Sequence, residues 1–309
     1  MVDARDPSIR VGVPRSVLHY EFGGAIARFL EALGIDVVLS PPTNREIFRA
    51  GKRVVIDELC FPIKIFVGHV AHLAALNVDR IVVPVVVGHV NDRVFPCHPR
   101  SRLADIVRAL GVCDETRLLA PAFRFNAAGL TAGGFRELAG ALGRSEEESH
   151  RALPKLQARD SGPGVPSAPH PGPTVGIVGR PYVVKDAWAN NHVAGRLESL
   201  GCRAVTEDDV QPIGYSPEGT GLHFALAART LALAGLWDRA PEIAGIVFLL
   251  PFNCGPDGDI ARHLQRTVDT PMLTLVLDEL QSSAGMVTRL EAFVDLLTPA
   301  REPVGGRST

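Results

Sequence analysis

The sequence predicts an α/β protein built from two Rossmann-like domains, each with a doubly wound parallel sheet. Short apolar runs, typical of buried parallel strands, alternate with segments whose apolar residues have helical spacing. The two halves of the chain also resemble each other, which indicates an internal duplication of a βα unit. Sheets of this type bind ligands beyond the carboxyl ends of their strands, so we expect the site in the cleft between the domains.

Three pairs of segments are similar between the halves. In the last pair, the two segments are separated along the chain by nearly the same number of residues as in the others. The matching pairs are residues 11–13 with 175–177, 29–37 with 196–204, and 79–83 with 244–248.

In the first half, apolar runs predict the strands and apolar residues three or four apart predict the helices. The helix predicted first has Phe22, Ile26 and Phe29 at this spacing, and Gly34 ends it. We expect strands at residues 9–13, 35–39, 80–86 and 118–120, and helices at 20–33, 45–50, 62–76, 101–110 and 133–142.

The second half repeats the alternation. We expect strands at residues 175–178, 203–205, 246–250 and 272–277, and helices at 188–200, 221–237, 257–267 and 285–297. Between the halves, residues 159–173 contain five prolines, three glycines and two serines, which is the composition of a linker. The predicted organisation is a tail (1–8), a domain (9–157), a linker (158–173), a second domain (174–299) and a tail (300–309).

Composition excludes several classes of protein. The chain has 309 residues, enough for two domains, and is 46% hydrophobic and 21% charged. A formal net charge of −2 without a basic cluster gives no support for nucleic-acid binding. The apolar runs are too short to span a membrane, and residues 1–10 lack the apolar core of a signal peptide, so we expect a cytoplasmic protein. Five widely spaced cysteines indicate metal or redox chemistry rather than a disulfide framework.

Three of the five cysteines, Cys60, Cys97 and Cys254, share the pattern Cys-x-Pro, and each precedes a predicted helix. Proline suits the first turn of a helix, and the N–H groups at a helix start stabilise a thiolate. Cys113 and Cys202 lack the pattern.

The spacing of the cysteines alone is consistent with three interpretations. Free cysteines often simply pack in the core. A zinc site with His98 or His69 as fourth ligand is a second reading, although structural zinc sites usually bring cysteines in close pairs, and none is present. Three isolated thiolates also suit a [4Fe–4S] cluster that leaves one iron open.

Several polar residues flank these cysteines. Lys64 lies one helical turn after Cys60. It could face the cluster as a cation, or it could be an ordinary surface lysine. Glu279 lies at the end of the last predicted strand. His69 and His72 are a conceivable ligand pair, but a solvated or hydrogen-bonded helix face is favoured. The candidate site consists of the ligands Cys60, Cys97 and Cys254 and the surrounding residues Glu58, Lys64, His69, Asn253, Asp257 and Glu279.

No phosphate-binding loop, dinucleotide fingerprint or nucleophile elbow occurs, so nothing in the sequence indicates an ATPase or a hydrolase. Other motifs extend over nearly the whole predicted folded chain. They are Gly12-Val13-Pro14-Arg15, Tyr20-Glu21-Phe22-Gly23, Ser40-Pro41-Pro42-Thr43-Asn44, Asp57-Glu58-Leu59-Cys60-Phe61-Pro62-Ile63-Lys64, Gly68-His69, Gly179-Arg180-Pro181-Tyr182, Cys254-Gly255-Pro256-Asp257, Leu275-Val276-Leu277-Asp278-Glu279 and residues 288–293.

In these motifs the chain resembles the 2-hydroxyglutaryl-CoA dehydratase-related family, also described as CoA-substrate-specific enzyme activase-related. The resemblance implies Rossmann-like domains around an oxygen-sensitive cluster held by Cys60, Cys97 and Cys254. Relatives include the cluster-bearing subunits of 2-hydroxyacyl-CoA dehydratases and the double-cubane reductases, in which two cubanes form one cluster. Such proteins receive electrons from a separate ATP-dependent activator.

Two hypotheses for the function follow. The first is an iron–sulfur component of a dehydratase-like lyase or of a reductase, which transfers low-potential electrons. The second is a non-catalytic partner or scaffold subunit of such an assembly. Under either hypothesis we expect a dimer, with itself or with a paralogous cluster-bearing subunit, because a three-cysteine site leaves an iron exposed.

Overall fold

The computed structural model describes residues 9–22, 24–90, 95–126, 129–153, 170–210, 224–279 and 283–298. Four predicted segments lie wholly or partly outside these ranges. They are the tails at 1–8 and 300–309, most of the linker, and the first residues of the helix predicted at 221–237. The chain is a mixed α/β protein with parallel sheets.

The first half contains seven strands and eight α-helices among its described residues. The strands are β1 (Arg10–Val13), β2 (Asp36–Leu39), β3 (Arg80–Val82), β4 (Val85–His89), β5 (Leu118–Leu119), β6 (Ala122–Asn126) and β7 (Gly129–Leu130). The helices are α1 (Leu18–Glu21), α2 (Ala25–Ala32), α3 (Arg45–Lys52), α4 (Phe61–Ala75), α5 (His98–Ser101), α6 (Leu103–Leu110), α7 (Ala132–Ala141) and α8 (Glu146–Ala152).

The described part of the second half contains four strands and five α-helices. The strands are β8 (Thr174–Gly179), β9 (Arg203–Val205), β10 (Ile243–Pro251) and β11 (Met272–Leu277). The helices are α9 (Pro181–Val184), α10 (Val193–Ser199), α11 (Ala225–Arg239), α12 (Gly255–Thr267) and α13 (Ser283–Leu297).

Each half has a four-stranded sheet in which all strand pairs are parallel. The orders are β2-β1-β3-β5 and β9-β8-β10-β11, so the first strand of each half lies between the second and the third. This shared order is compatible with the duplication that the sequence predicts. A further sheet, β4-β6-β7, extends the first half.

Helices cover both faces of the second sheet, as alternate residues of β10 demonstrate. Val247 and Leu249 pack with α10 and α13, whereas Ile246 and Phe248 pack with α11 and α12. Strands that are buried on both faces read as continuous apolar runs, which is why β10 and β11 were predictable.

Three predicted elements are wrong in part. The helix predicted at 20–33 is two helices, because the backbone turns before α2, where Gly24 has φ 71°. The strand predicted at 80–86 is β3 and β4 in different sheets; Pro84 between them has no N–H to donate to a ladder. The helix predicted at 188–200 begins only at Val193, after His192 with φ 57°.

The helices α3 and α4 cross at two glycines. A Cβ on Gly51 would lie 1.9 Å from the carbonyl oxygen of Lys64, and one on Gly68 would lie 2.0 Å from that of Ile47. Only residues without a side chain allow the two backbones to approach this closely. The crossing fixes the direction in which α4 leaves Cys60.

Aromatic residues join the two halves. The Trp188 ring lies 5.4 Å from that of Phe48 and 6.5 Å from that of Phe61, measured between centroids. Both phenylalanines belong to the same buried cluster as the strands and helices of the second half. Within the described residues, no helix is both long and apolar enough to span a membrane.

Candidate functional site

The three Cys-x-Pro cysteines each precede a helix, as the sequence predicts. Cys60, Cys97 and Cys254 are the N-cap residues of α4, α5 and α12, and a proline follows within the first two positions of each helix. Cys254 also follows the carboxyl end of β10, so it lies at a strand-to-helix junction.

Backbone contacts tie the Cys254 loop to the Cys60 loop. The Phe61 N–H donates to the Phe252 carbonyl oxygen at 3.2 Å, and Asn253 Nδ2 donates to the Asp57 carbonyl oxygen at 3.1 Å. Asn253 has φ 59°, a conformation that asparagine tolerates better than most residues. From the sequence we expect Asn253 among the residues that surround the cysteines. In the structure its side chain connects the two loops.

The third cysteine, Cys97, lies in the neighbourhood of Cys60. Cys97 is near enough to Cys60 to influence the pKa of its thiol, and Cys60 in turn influences the pKa of Cys254. Cys97 also lines a cavity with Arg180, which is paired with Asp257 in the first turn of α12. All five cysteines are free thiols; no other cysteine influences the pKa of Cys113 or Cys202, and burial raises the pKa of each of these two thiols.

The N–H groups at these helix starts lower the thiol pKa values, as expected, but in the protein alone burial has the larger, opposite effect. Burial, followed by the charge of Cys97, raises the pKa of Cys60 to about 11. Burial and then the Asp257 carboxylate raise the pKa of Cys254 further. Desolvation therefore outweighs the N–H groups of the helix and favours the protonated form of both thiols. A metal would have to displace these protons on binding.

Asp257 is not an ordinary helix-capping acid, because its residue is only 1% exposed and its carboxylate pairs with the buried Arg180. Tyr182, two residues after Arg180, lies near the same cysteines. Burial raises the pKa of Tyr182 far above its usual value, Arg180 opposes this shift, and the charges of Cys97 and Cys254 add to it. Sequence reasoning did not select Arg180 and Tyr182 as site residues, although both lie in the Gly179–Tyr182 motif.

Lys64 is buried rather than an ordinary surface lysine. Its side chain is 4% exposed, and Nζ lies 3.4 Å from Glu279 Oε2 and 3.7 Å from Asp57 Oδ1. Glu279 also accepts a hydrogen bond from Lys52 Nζ at 2.6 Å. Burial works against the charge of Glu279, but the two lysines hold its pKa below the usual value. The cation one turn after Cys60 is therefore fixed in place.

His69 belongs to a buried polar network with hydroxyl groups. Its Nδ1 lies 2.8 Å from Ser40 Oγ and its Nε2 lies 3.0 Å from Thr43 Oγ1, and the Thr43 hydroxyl donates to Asp186 of the second half. Because both ring nitrogens are engaged, neither is available to a metal. Burial lowers the pKa of His69 to about 3.

The His69 network has one consistent set of protons. Since the Thr43 hydroxyl donates to Asp186, it accepts from His69 Nε2–H, which leaves Nδ1 to accept from the Ser40 hydroxyl. Ser40 Oγ in turn accepts from the Arg15 N–H at 2.7 Å. The predicted hydrogen-bonded histidine is thus confirmed, and the predicted ligand role is not supported.

Glu58 and Asn253 are exposed, whereas Lys64, His69 and Asp257 are buried and Glu279 is partly buried. Throughout the parts of the chain that the structure describes, no three histidine, cysteine, aspartate or glutamate side chains are arranged to hold a single metal ion. The three cysteines are therefore neighbours without forming a compact single-ion site.

A comparison with protein families gives one informative result. A family whose description is CoA enzyme activase uncharacterised domain (DUF2229) matches residues 10–210, which include Cys60, Cys97, Arg180 and Tyr182. Cys254 lies outside the matched residues.

No curated protein matches the chain significantly. Among solved structures, the catalytic subunit of cobaltochelatase from Mycobacterium tuberculosis is similar over 87% of this chain, with 12% identity and a TM-score of 0.31. The alignment covers 21% of that subunit, so the chain spans about a fifth of its length. A likeness this distant carries no argument about fold or function.

Proposed function

Because the chain belongs to the CoA enzyme activase uncharacterised domain family, we propose that it is an iron–sulfur component of a CoA-linked enzyme assembly. In this proposal Cys60, Cys97 and Cys254 hold a [4Fe–4S] cluster, alone or as part of a double-cubane cluster. The assembly is a 2-hydroxyacyl-CoA dehydratase-like or reductase-like system. The observation that carries the proposal is that three Cys-x-Pro cysteines from distant parts of the chain each begin a helix, with the Cys60 and Cys254 loops hydrogen-bonded to each other and Cys97 near Cys60.

The donor chemistry of the site fits such a cluster. Three thiols with no histidine among them suit iron–sulfur chemistry, since thiolates are the usual ligands of [4Fe–4S] clusters. A cubane binds each thiolate through a different iron, so its ligands lie further apart than those of one ion. Neighbouring cysteines that do not form a single-ion site agree with this requirement and disfavour the zinc alternative.

Each part of the chain would have a definite role. The bound cluster would supply one-electron transfer at low potential. The three cysteines bind it, and the partial positive charges at the starts of α4 and α12 offset its negative charge. Lys64, held by Glu279 and Asp57, adds a fixed cation one turn from Cys60, and such charges tune a cluster's potential. The Arg180–Asp257 pair positions the start of α12.

The test is anaerobic purification of the full chain, with iron and acid-labile sulfide analysis and an optical spectrum. We expect a brown protein with about four irons per chain, as ligation of one cubane by three thiolates requires. Substitution of Cys60, Cys97 or Cys254 by serine should each remove most of the iron, whereas Cys113→Ser and Cys202→Ser serve as matched controls that retain it. Stoichiometric zinc without sulfide, or equal iron in all five variants, would contradict the proposal.

Partners are a second part of the proposal. Large apolar side chains near the cysteines are exposed, with exposed fractions of 61% for Ile56, 47% for Phe252 and 44% for Phe95. Exposed apolar groups of this size around a site are typical of a surface that another subunit covers. We therefore propose a dimer with itself or with a paralogous cluster-bearing subunit, and a separate ATP-dependent activator that supplies electrons in the cytoplasm.

Light scattering under anaerobic conditions, with and without candidate paralogues, tests the partner proposal. A cluster-loaded protein that stays monomeric in both settings would refute it. A protein that assembles and keeps its cluster, but whose cluster cannot be reduced, would instead be a non-catalytic scaffold subunit.

The domain organisation also remains a proposal. We propose two Rossmann-like domains, residues 9–157 and 174–299, that arose by duplication. The same strand order in the two parallel sheets supports this origin.

A further inference from the structure

Tyr182 lies beside the cysteines where the two halves of the chain meet, and the proposed function gives it no role. It belongs to the first turn of α9, and its partly buried ring packs against two core clusters, one mainly of the first half and one mainly of the second. Cys60 packs against the same first-half cluster. The helix α9 also packs against β10, the strand that leads to Cys254. The Tyr182 ring is therefore held at the cysteine site.

The hydroxyl group of Tyr182 lies among the polar groups of this site. The neighbouring groups with the largest effects on its pKa are Arg180, Cys97, Cys254 and Asp257. All four belong to the site, and interactions between charges weaken with distance. Since the charge of an ionised tyrosine resides at its oxygen end, the hydroxyl group and not only the ring is near the cysteines.

This hydroxyl group is an unused hydrogen-bond donor. It has no hydrogen-bond partner among the residues that the structure describes. Phenolic hydroxyl groups inside proteins usually find one. The neighbouring Arg180 offers donors only, and a thiol is a weak acceptor. A thiolate is a strong acceptor, because hydrogen bonds to charged groups are shorter and stronger than neutral ones. The Tyr182 hydroxyl therefore lies near sulfur atoms that can accept its proton well only after they lose their own.

We propose that Tyr182 donates a hydrogen bond to the sulfur ligands of the bound cluster, on the side of Cys97 and Cys254. This rests on the proposed function, because cluster binding is what converts the thiols to thiolates. Hydrogen bonds to the sulfurs of an iron–sulfur cluster help to set its reduction potential. They offset negative charge, of which the reduced cluster carries more, so this hydrogen bond favours reduction.

The experiment compares the full wild-type chain with Tyr182→Phe, which keeps the packed ring and removes only the hydroxyl group. Both are loaded with the cluster under anaerobic conditions. Iron content, reduction potential and the electron–nuclear double resonance spectrum of the reduced cluster in deuterated water are measured. We expect equal iron content, a shift of the reduction potential to more negative values, and the loss of an exchangeable deuteron coupled to the cluster. A ring that only fills space would move neither of the last two.

Tyr20→Phe is the matched control. Tyr20 is also partly buried, but the groups with the largest effects on its pKa, besides burial itself, are Asp186 and Arg15 rather than a cysteine. Its loss should leave the reduction potential and the deuteron signal as they are in the wild-type protein.

The metal-free protein provides a separate measurement. Because the Tyr182 hydroxyl bonds to no described part of the chain, Tyr182→Phe should leave the melting temperature of the metal-free protein nearly unchanged. A clearly lower melting temperature would overturn the proposal, since the protein itself would then use the hydroxyl group.

Two further results would overturn the proposal. A cluster-loaded Tyr182→Phe variant with the wild-type potential and deuteron signal would show that the hydroxyl group does not bond to the sulfur ligands. A wild-type chain that binds neither iron nor sulfide would overturn this proposal together with the proposed function. The other contrary results leave the iron content intact, so the two failures are distinguishable.

Discussion

Lys64 and His69 lie on the same helix and are both buried, with opposite consequences for their charges. Lys64 stays close to two carboxylates, whereas His69 is surrounded by hydroxyl groups and is neutral. The sequence identified both residues as candidates but could not separate their roles. Helical spacing indicates the face of a helix and says nothing about which polar groups another part of the chain brings to that face.

Removal of the Glu279 carboxylate should lower the stability of the protein, because Lys64 is buried and loses a charged partner. Glu279→Gln leaves Lys64 with only the mostly exposed Asp57 as a charged partner, so we expect a loss of about 1–3 kcal/mol in the free energy of unfolding. Lys52→Met is the control, since Lys52 contacts the same carboxylate from an exposed position and its loss should change stability little. Urea denaturation compares the two; equal losses would show that Lys64 does not need Glu279.

His69 should make the protein less stable in mild acid. The unfolded chain takes up a proton on this histidine near pH 6.5, whereas the folded protein does so only near pH 3. Stability from this group is therefore complete above about pH 6.5 and falls as the pH drops toward 3, by up to about 1.4 kcal/mol per pH unit. The raised pKa of Asp186, which is due to burial, acts in the opposite direction at lower pH.

The measurement is urea denaturation between about pH 7 and pH 5, above the range in which a carboxyl group usually titrates. His69→Gln should flatten the slope of stability against pH, and His150→Gln, at an exposed position of α8, should not. His19 contributes in the same direction in all three proteins, since burial lowers its pKa to about 4. An unchanged slope in His69→Gln would show that the pKa of this histidine is not lowered in the folded state.

At the scale of elements, helices and strands that lie in the interior were predictable, and their junctions were not. The strand β11 and the helix α3 agree with the sequence because continuous or periodic apolar residues mark them. The strand β6 was missed although its residues alternate between buried and partly or fully exposed positions. The capping box of Ser145 and Glu148 that starts α8 was also present in the sequence and overlooked.

The crossing of α3 and α4 supports a prediction about glycine. Gly68→Ala should lower the free energy of unfolding by about 3 kcal/mol or more, because the added methyl group would collide with backbone, which cannot move aside like a side chain. Gly140→Ala in α7 is the matched control: nothing lies near its Cβ position, and alanine there should stabilise the helix by about 0.5–1 kcal/mol. Thermal and urea unfolding of both variants provide the comparison.

A tolerated Gly68→Ala would mean that the two helices can separate without cost. The sequence alone could not reveal this contact, since glycine inside a predicted helix is most simply read as a weakness of that helix.

For the whole molecule, the packing between the halves predicts a single unfolding transition. The linker composition suggests two independent domains. In the structure, however, Trp188 of the second half packs on Phe48 and Phe61 of the first half. Leu226 of the second half also lies in a core cluster of the first half. Tryptophan fluorescence, which reports on Trp188 and Trp237, should therefore change at the same urea concentration as far-ultraviolet circular dichroism. Two separate transitions would show that the halves fold independently.

The bond between Asn253 and the carbonyl group of Asp57 joins positions 196 residues apart in the chain. A growing polypeptide leaves the ribosome from its amino end, and the segments made first can fold first. Cys60 and Cys97 are therefore synthesised long before β10 and the loop that carries Cys254. The ribosome must complete most of the second half before the three cysteines can meet, so any prosthetic group that needs all three is inserted late, into a nearly finished protein.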